Sequence, residues 1–143
     1  MGLFTNLFAP KTERKPSAKR EVVFLMGTGK FDIEVTGEEH FQAALEAICG
    51  PRVPRGVNRF ETAWLILEER NPGDKNAVRV EIRGKRVGYL GPEAAVLYRR
   101  ELISRAMPSA DGQCRAVVTG GWISSDGRKG PYCVSLDIFS LAQ

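Results

Sequence analysis

Val78-Arg79-Val80-Glu81-Ile82-Arg83-Gly84-Lys85-Arg86-Val87-Gly88-Tyr89-Leu90 is the stretch whose reading decides the fold. Val78, Val80 and Ile82 alternate with Arg79, Glu81 and Arg83, the period of two that sends apolar side chains to one face of a half-buried strand. Gly84-Lys85 supplies a tight turn and Arg86 to Leu90 runs extended again, so the stretch reads as a β-hairpin. A hairpin in mid-chain makes the surrounding segments partners for an antiparallel sheet.

Working upstream, Asn71-Pro72-Gly73-Asp74 is turn chemistry, because Pro fixes φ and Gly tolerates positive φ. Before it, Thr62 to Leu67 is apolar and short, a buried strand within about Arg59 to Glu68. Phe31, Ile33 and Val35 alternate with Asp32 and Glu34 as the first strand. Thr36-Gly37-Glu38-Glu39 reads as a capping box for a helix with Phe41, Ala44, Leu45, Ile48 and Cys49 on one face and Gly50 as its stop. Downstream, Gly91-Pro92 opens a second helix with Ala95, Tyr98 and Leu102 as its apolar stripe and Pro108 as its end. Cys114, Ala116 and Val118, then Tyr132, Val134, Leu136 and Ile138, mark two more strands around a Gly- and Ser-rich loop from Gly120 to Gly130. The order is β-α-β-β-β-α-β-β. Six short strands with two helices make a mainly β (α+β) protein, a small and strongly bent sheet or partly open barrel rather than a doubly wound parallel sheet.

The 143 residues suffice for a single domain. Its basic excess is confined to one end: residues 1–20 hold Lys11, Arg14, Lys15, Lys19 and Arg20 against Glu13, while the remaining 16 basic and 16 acidic residues cancel. Residues 10 to about 20 carry Pro10 and Pro16 and no apolar residue but Ala18, which is linker composition, so residues 1–20 read as a flexible basic tail and 21–143 as the domain. The Phe4, Leu7 and Phe8 cluster makes the tail a candidate contact for a protein partner or an anionic surface. Cys49, Cys114 and Cys133 are odd in number and lack C-x-x-C spacing, as expected of reduced core cysteines in a cytoplasmic protein. No secretory signal or membrane-spanning run is evident.

Catalytic constellations are thin. His40 is the one histidine, beside Glu38 and Glu39, and reads as solvated or packed before it reads as a base. His40 with the three cysteines has zinc-ligand chemistry but not zinc-ligand spacing. Gly27-Thr28-Gly29-Lys30 lacks the spacing of a phosphate-binding loop. No cofactor, no metal and no catalytic residue are expected, and a metal-dependent nuclease would need carboxylates gathered from distant positions.

The segment Asn71-Pro72-Gly73-Asp74-Lys75-Asn76-Ala77-Val78-Arg79-Val80, followed by Val87-Gly88-Tyr89-Leu90 and the helix bearing Ala94, Ala95 and Tyr98, resembles the HIRAN domain family. That family's core runs through an Asn-Pro-x-Asp-x-Asn-Ala-Val-x-Val strand, a Val-Gly-Tyr/His-Leu strand and an Ala-rich helix, here in the same order. A looser likeness extends from Phe31 to Phe139. The resemblance implies a modified OB-like β-barrel of the stand-alone bacterial kind. In members attached to repair translocases, this module holds the free 3′ end of single-stranded DNA.

Carried onto this chain, the resemblance implies a non-catalytic nucleic-acid site of Asn71, Asp74, Lys75, Asn76, Arg79, Tyr89 and His40, with DNA repair as its setting. Asp74 is suited to accept a hydrogen bond from a 3′-hydroxyl and to repel a phosphate at the same place. Tyr89 and His40 offer stacking faces, and Lys75, Arg79 and Arg86 offer cations. Asn76 also suits a turn that bonds its own backbone. Glu39 and His40 stand where DNA-binding members have a basic residue and an aromatic, and Gly73 stands where they have an aromatic. The first change adds repulsion and the second removes a stacking surface. The alternative is a protein-interaction adaptor, taking a peptide in the barrel groove or on an edge strand.

Overall fold

The structure, a computed structural model, describes residues 21–68, 73 and 75–138. The elements are β1 (Val22–Phe24), β2 (Ile33–Thr36), α1 (Gln42–Cys49), β3 (Val57–Leu67), β4 (Val78–Ile82), β5 (Lys85–Leu90), α2 (Pro92–Ser104), β6 (Asp111–Gly120) and β7 (Tyr132–Asp137), with a 3-10 turn at Glu38–His40. Strands β6-β3-β4-β5-β2-β7 are antiparallel neighbours, and β7 returns to pair with β6. The six-stranded barrel is therefore closed rather than partly open, which leaves its strands no free edge. The expected six strands and two helices are all present in the expected order. β1 is an addition, pairing in parallel with Asp111, Gly112 and Gln113 of β6. The basic segment 1–20 lies outside the described residues.

Inward side chains of successive strands make one core: Ala63 and Leu65, Val78, Val80 and Ile82, Val87, Cys114, Ala116 and Val118, then Val134 and Leu136. Leu45 and Ile48 of α1 and the Ala95, Tyr98, Leu102 stripe of α2 join it. The helices lie toward opposite ends of β3. Tyr132, level with Gly120 and Val57 in the register, donates its hydroxyl to Gly50 O after α1. At the other end Tyr98 of α2 donates to Leu65 O.

Several local readings are corrected. The hairpin turn is Arg83-Gly84, one residue earlier than expected: Ile82 pairs with Lys85, and φ is 53° at Arg83 and 77° at Gly84. Positive φ at both central positions is the type I′ geometry that matches strand twist. Val80 pairs with Gly88 and Glu81 with Arg86, so Val87 is the extra residue of a bulge. The Thr36 to Glu39 segment is not a capping box. Thr36 belongs to β2 and donates Oγ1–H to Tyr89 O, and α1 has no side-chain cap. Glu38 and Gln42 instead serve the barrel seam. β2 pairs with β7 only at Ile33–Leu136 and Glu34–Ser135. Beyond that, Gln42 Nε2 donates to Tyr132 O at 3.0 Å, Gln42 Oε1 accepts from Tyr132 N–H at 2.8 Å, and Glu38 Oε2 accepts from Val134 N–H at 2.9 Å. Two side chains stand in for a strand and satisfy backbone groups that would be costly to leave unpaired.

α2 ends at Ser104, short of Pro108. Ala106 adopts φ 58°, its N–H donates to Ile103 O, and Met107 N–H donates to Leu102 O. This is a Schellman closure with alanine where glycine is usual. The core-cysteine reading holds for Cys114, which is buried. Cys49 is half-buried and Cys133 is exposed.

Candidate functional site

The outer face of β3, β4 and β5 is built by register. Ile66 of β3 lies opposite Arg79 of β4, and Arg79 opposite Tyr89 of β5. Trp64 lies opposite Glu81, and Glu81 opposite Arg86. Because paired residues of an antiparallel sheet share a face, Arg79, Arg86 and Tyr89 are brought together.

Glu68, which follows β3, organises them. Its Oε2 accepts from Arg79 Nη1 at 3.0 Å, lies 3.4 Å from Arg86 Nη2 and accepts from the Tyr89 hydroxyl at 3.4 Å. Arg79 Nε is also 2.7 Å from Glu81 Oε2, although its buried N–H is not aimed at an acceptor among the described residues. Arg79 is thus largely enclosed by carboxylates. Arg86 is more open: its guanidinium lies 5.9 Å from the Tyr89 ring centroid and Nη1 donates to the Tyr89 hydroxyl at 3.1 Å. Burial raises the Tyr89 phenol pKa; neighbouring Glu68 reinforces the shift and Arg86 opposes it. The phenol therefore stays neutral. The Phe41 ring stands 6.4 Å from the Tyr89 ring at 53°, extending the aromatic surface.

The other expected site residues divide. Lys75 and Asn76 are exposed in the turn before β4. Arg99 of α2 ties that turn down, donating from Nε to Asn76 O at 3.1 Å and from Nη2 to Ala77 O at 3.3 Å. His40 is exposed on the 3-10 turn, its side chain 74% accessible and Nε2 3.7 Å from Glu39 Oε2. Its neighbour Phe41 makes the ring contact with Tyr89. Asn71 and Asp74 lie outside the described residues. Among the described residues, no three of His, Cys, Asp and Glu converge as a metal site, and no helix is long and apolar enough to cross a membrane.

Sequence reasoning missed Glu68, Phe41 and Arg99 as parts of this arrangement. Glu68 continues the outward alternation of Trp64 and Ile66, a signal that was present. Phe41 falls at helical spacing and Arg99 off the apolar stripe of α2, and neither spacing points to partners in distant segments.

No family model matches the sequence, and no curated protein matches it. Among solved structures, the chain is similar to the crystal structure of the HIRAN domain of human HLTF, at 19% sequence identity over 73% of this chain and 71% of that one, with a TM-score of 0.36.

Proposed function

We propose that this chain is a non-catalytic module that binds single-stranded nucleic acid, with DNA bearing a free 3′ end as the preferred ligand. The observation that carries the reading is the pairing of Tyr89 with Arg86 on the outer sheet face, beside Phe41. A neutral aromatic ring with a guanidinium against it suits a base on the ring and a phosphate at the cation.

In this reading Tyr89 is the stacking platform, and Arg86 and Lys75 meet phosphates. His40 flanks the path as a second stacking face. Arg79, held by Glu68 and Glu81, lends positive charge at short range and fixes the position of the platform. Asn71, Asp74 and Asn76 form the end-recognition turn, with Asp74 accepting the 3′-hydroxyl and excluding a 3′-phosphate. Support for that part comes from the Asn-Pro-x-Asp-x-Asn-Ala-Val sequence pattern.

The test is fluorescence anisotropy of a short single-stranded DNA carrying either a 3′-hydroxyl or a 3′-phosphate. Tighter binding of the hydroxyl form, with the preference abolished by Asp74→Ala, is the expected result. Equal affinity for both ends would remove end capture, and binding of neither would remove the nucleic-acid reading.

A further inference from the structure

The same sheet face carries a second aromatic–arginine cluster, remote from Tyr89. The ring centroids of Phe31 and Phe60 are 5.5 Å apart, and the Arg115 guanidinium lies 5.4 Å from the first and 5.6 Å from the second. Phe60 is 58% exposed, although a large apolar side chain in mid-strand is normally covered. Arg115 is exposed, and among the described residues no carboxylate lies within ion-pair distance of it.

Register makes the two clusters continuous. Thr62 lies opposite Arg115 and Phe60 opposite Val117 on β6, while Trp64 lies opposite Glu81 on β4. Outward positions of β3 therefore run from Phe60 through Thr62 and Trp64 to Ile66, which faces Arg79 and, beyond it, Tyr89. Six residues along β3 span about 20 Å, and two strand spacings add about 10 Å across, so the clusters are roughly 22 Å apart. The carboxylates between them, Glu81 and Glu68, are already paired with arginines.

Resting on the function proposed above, we infer that Phe31, Phe60 and Arg115 form a second subsite for the same single strand, where a base stacks on Phe60 and a phosphate meets Arg115. The occupant follows from chemistry. The ring-and-guanidinium pair repeats that of Tyr89 and Arg86, with the difference that Arg86 is shared with Glu68 whereas Arg115 has no carboxylate partner among the described residues. The separation is one that several nucleotides span, within the footprint of about 4 to 16 nucleotides typical of OB-type barrels. A duplex would not offer base faces to either ring.

The experiment measures anisotropy of labelled oligothymidylates of three and twelve nucleotides against the full chain and its Phe60→Ala, Arg115→Gln and Tyr89→Ala variants. Both Phe60 and Arg115 are exposed, so their variants keep the fold, which circular dichroism checks. The twelve-mer is expected to bind more tightly than the three-mer. Phe60→Ala and Arg115→Gln are expected to weaken the twelve-mer at least about fivefold and leave the three-mer unchanged, while Tyr89→Ala weakens both. A twelve-mer affinity that stays within twofold after Phe60→Ala, with Tyr89→Ala still damaging, overturns the second subsite alone. If neither oligonucleotide binds the unmodified chain, both readings fall together.

Discussion

Gly88→Ala tests the packing that positions the Tyr89 face. β5 is joined to β2 by only two residue pairs, Val35–Leu90 and Thr36–Tyr89, and Gly88 packs closely against Val35 and Thr36. A Cβ added at Gly88 would sit 2.3 Å from Val35 Cγ1 and 2.6 Å from Thr36 O, and its φ of 155° is one that side-chain-bearing residues rarely adopt. Val35 is in the core and the second clash is with backbone, so neither yields cheaply. Overpacking of this kind costs about 1–3 kcal/mol, and a glycine-type backbone conformation about 1–3 kcal/mol more. The expected loss is therefore about 2–6 kcal/mol, or roughly 6–24 °C in Tm for a domain of this size. Urea unfolding followed by tryptophan fluorescence reads it. The Val35→Ala/Gly88→Ala double variant should be less destabilised than the sum of the single variants, because one collision is removed. A Gly88→Ala loss below about 0.5 kcal/mol, or strict additivity of the pair, would refute the steric account.

Other consequences are equally measurable. Ala106→Gly should stabilise the fold by about 0.5–1 kcal/mol in the same assay, since Ala106 holds φ 58° at the end of α2. Burial, with Glu39 and Glu34 nearby, raises the Glu38 pKa despite its bond from Val134 N–H. A carboxyl with a raised folded-state pKa contributes fully below its unfolded value, and that contribution is lost as pH rises through the folded value. Glu38→Gln keeps an acceptor for Val134, so its stability relative to the unmodified protein should improve from pH 4 to pH 7; an unchanged difference would contradict this. Burial pushes the Cys114 thiol up to about 12, whereas Cys133 is exposed. At pH 8 a thiol reagent should modify Cys133 first and Cys114 only on unfolding, as peptide mapping would show.

What could be read in the sequence was what neighbours in the chain decide. Alternation at Val78, Val80 and Ile82 and the stripe at Ala95, Tyr98 and Leu102 depend on local period, and all six side chains are buried. β1 was invisible because three residues carry no period. The capping-box reading failed because a distant strand claims Thr36, whose hydroxyl bonds Tyr89 O. Phe31 was read as a strand residue, yet its φ of 49° takes it out of β2. The core reading fails for Cys133, which is exposed because it alternates with the inward Tyr132 and Val134. At the candidate site the residue types were legible, but the cross-strand register was not. The pairing of β3 with β4 and of β4 with β5 is what joins Glu68 to Arg79, Arg86 and Tyr89, and places the outward Phe60 on the same face.

The claim that this face binds nucleic acid is tested most directly by the salt dependence of affinity for a twelve-nucleotide single strand. Contacts to two or three phosphates through cations such as Lys75, Arg86 and Arg115 predict a slope of log Kobs against log salt between about −1.4 and −2.1, at about −0.7 per phosphate. Arg86→Gln should make it shallower. Absence of binding, or a slope near zero, would contradict the account and favour a protein-interaction adaptor that takes a peptide on the same barrel.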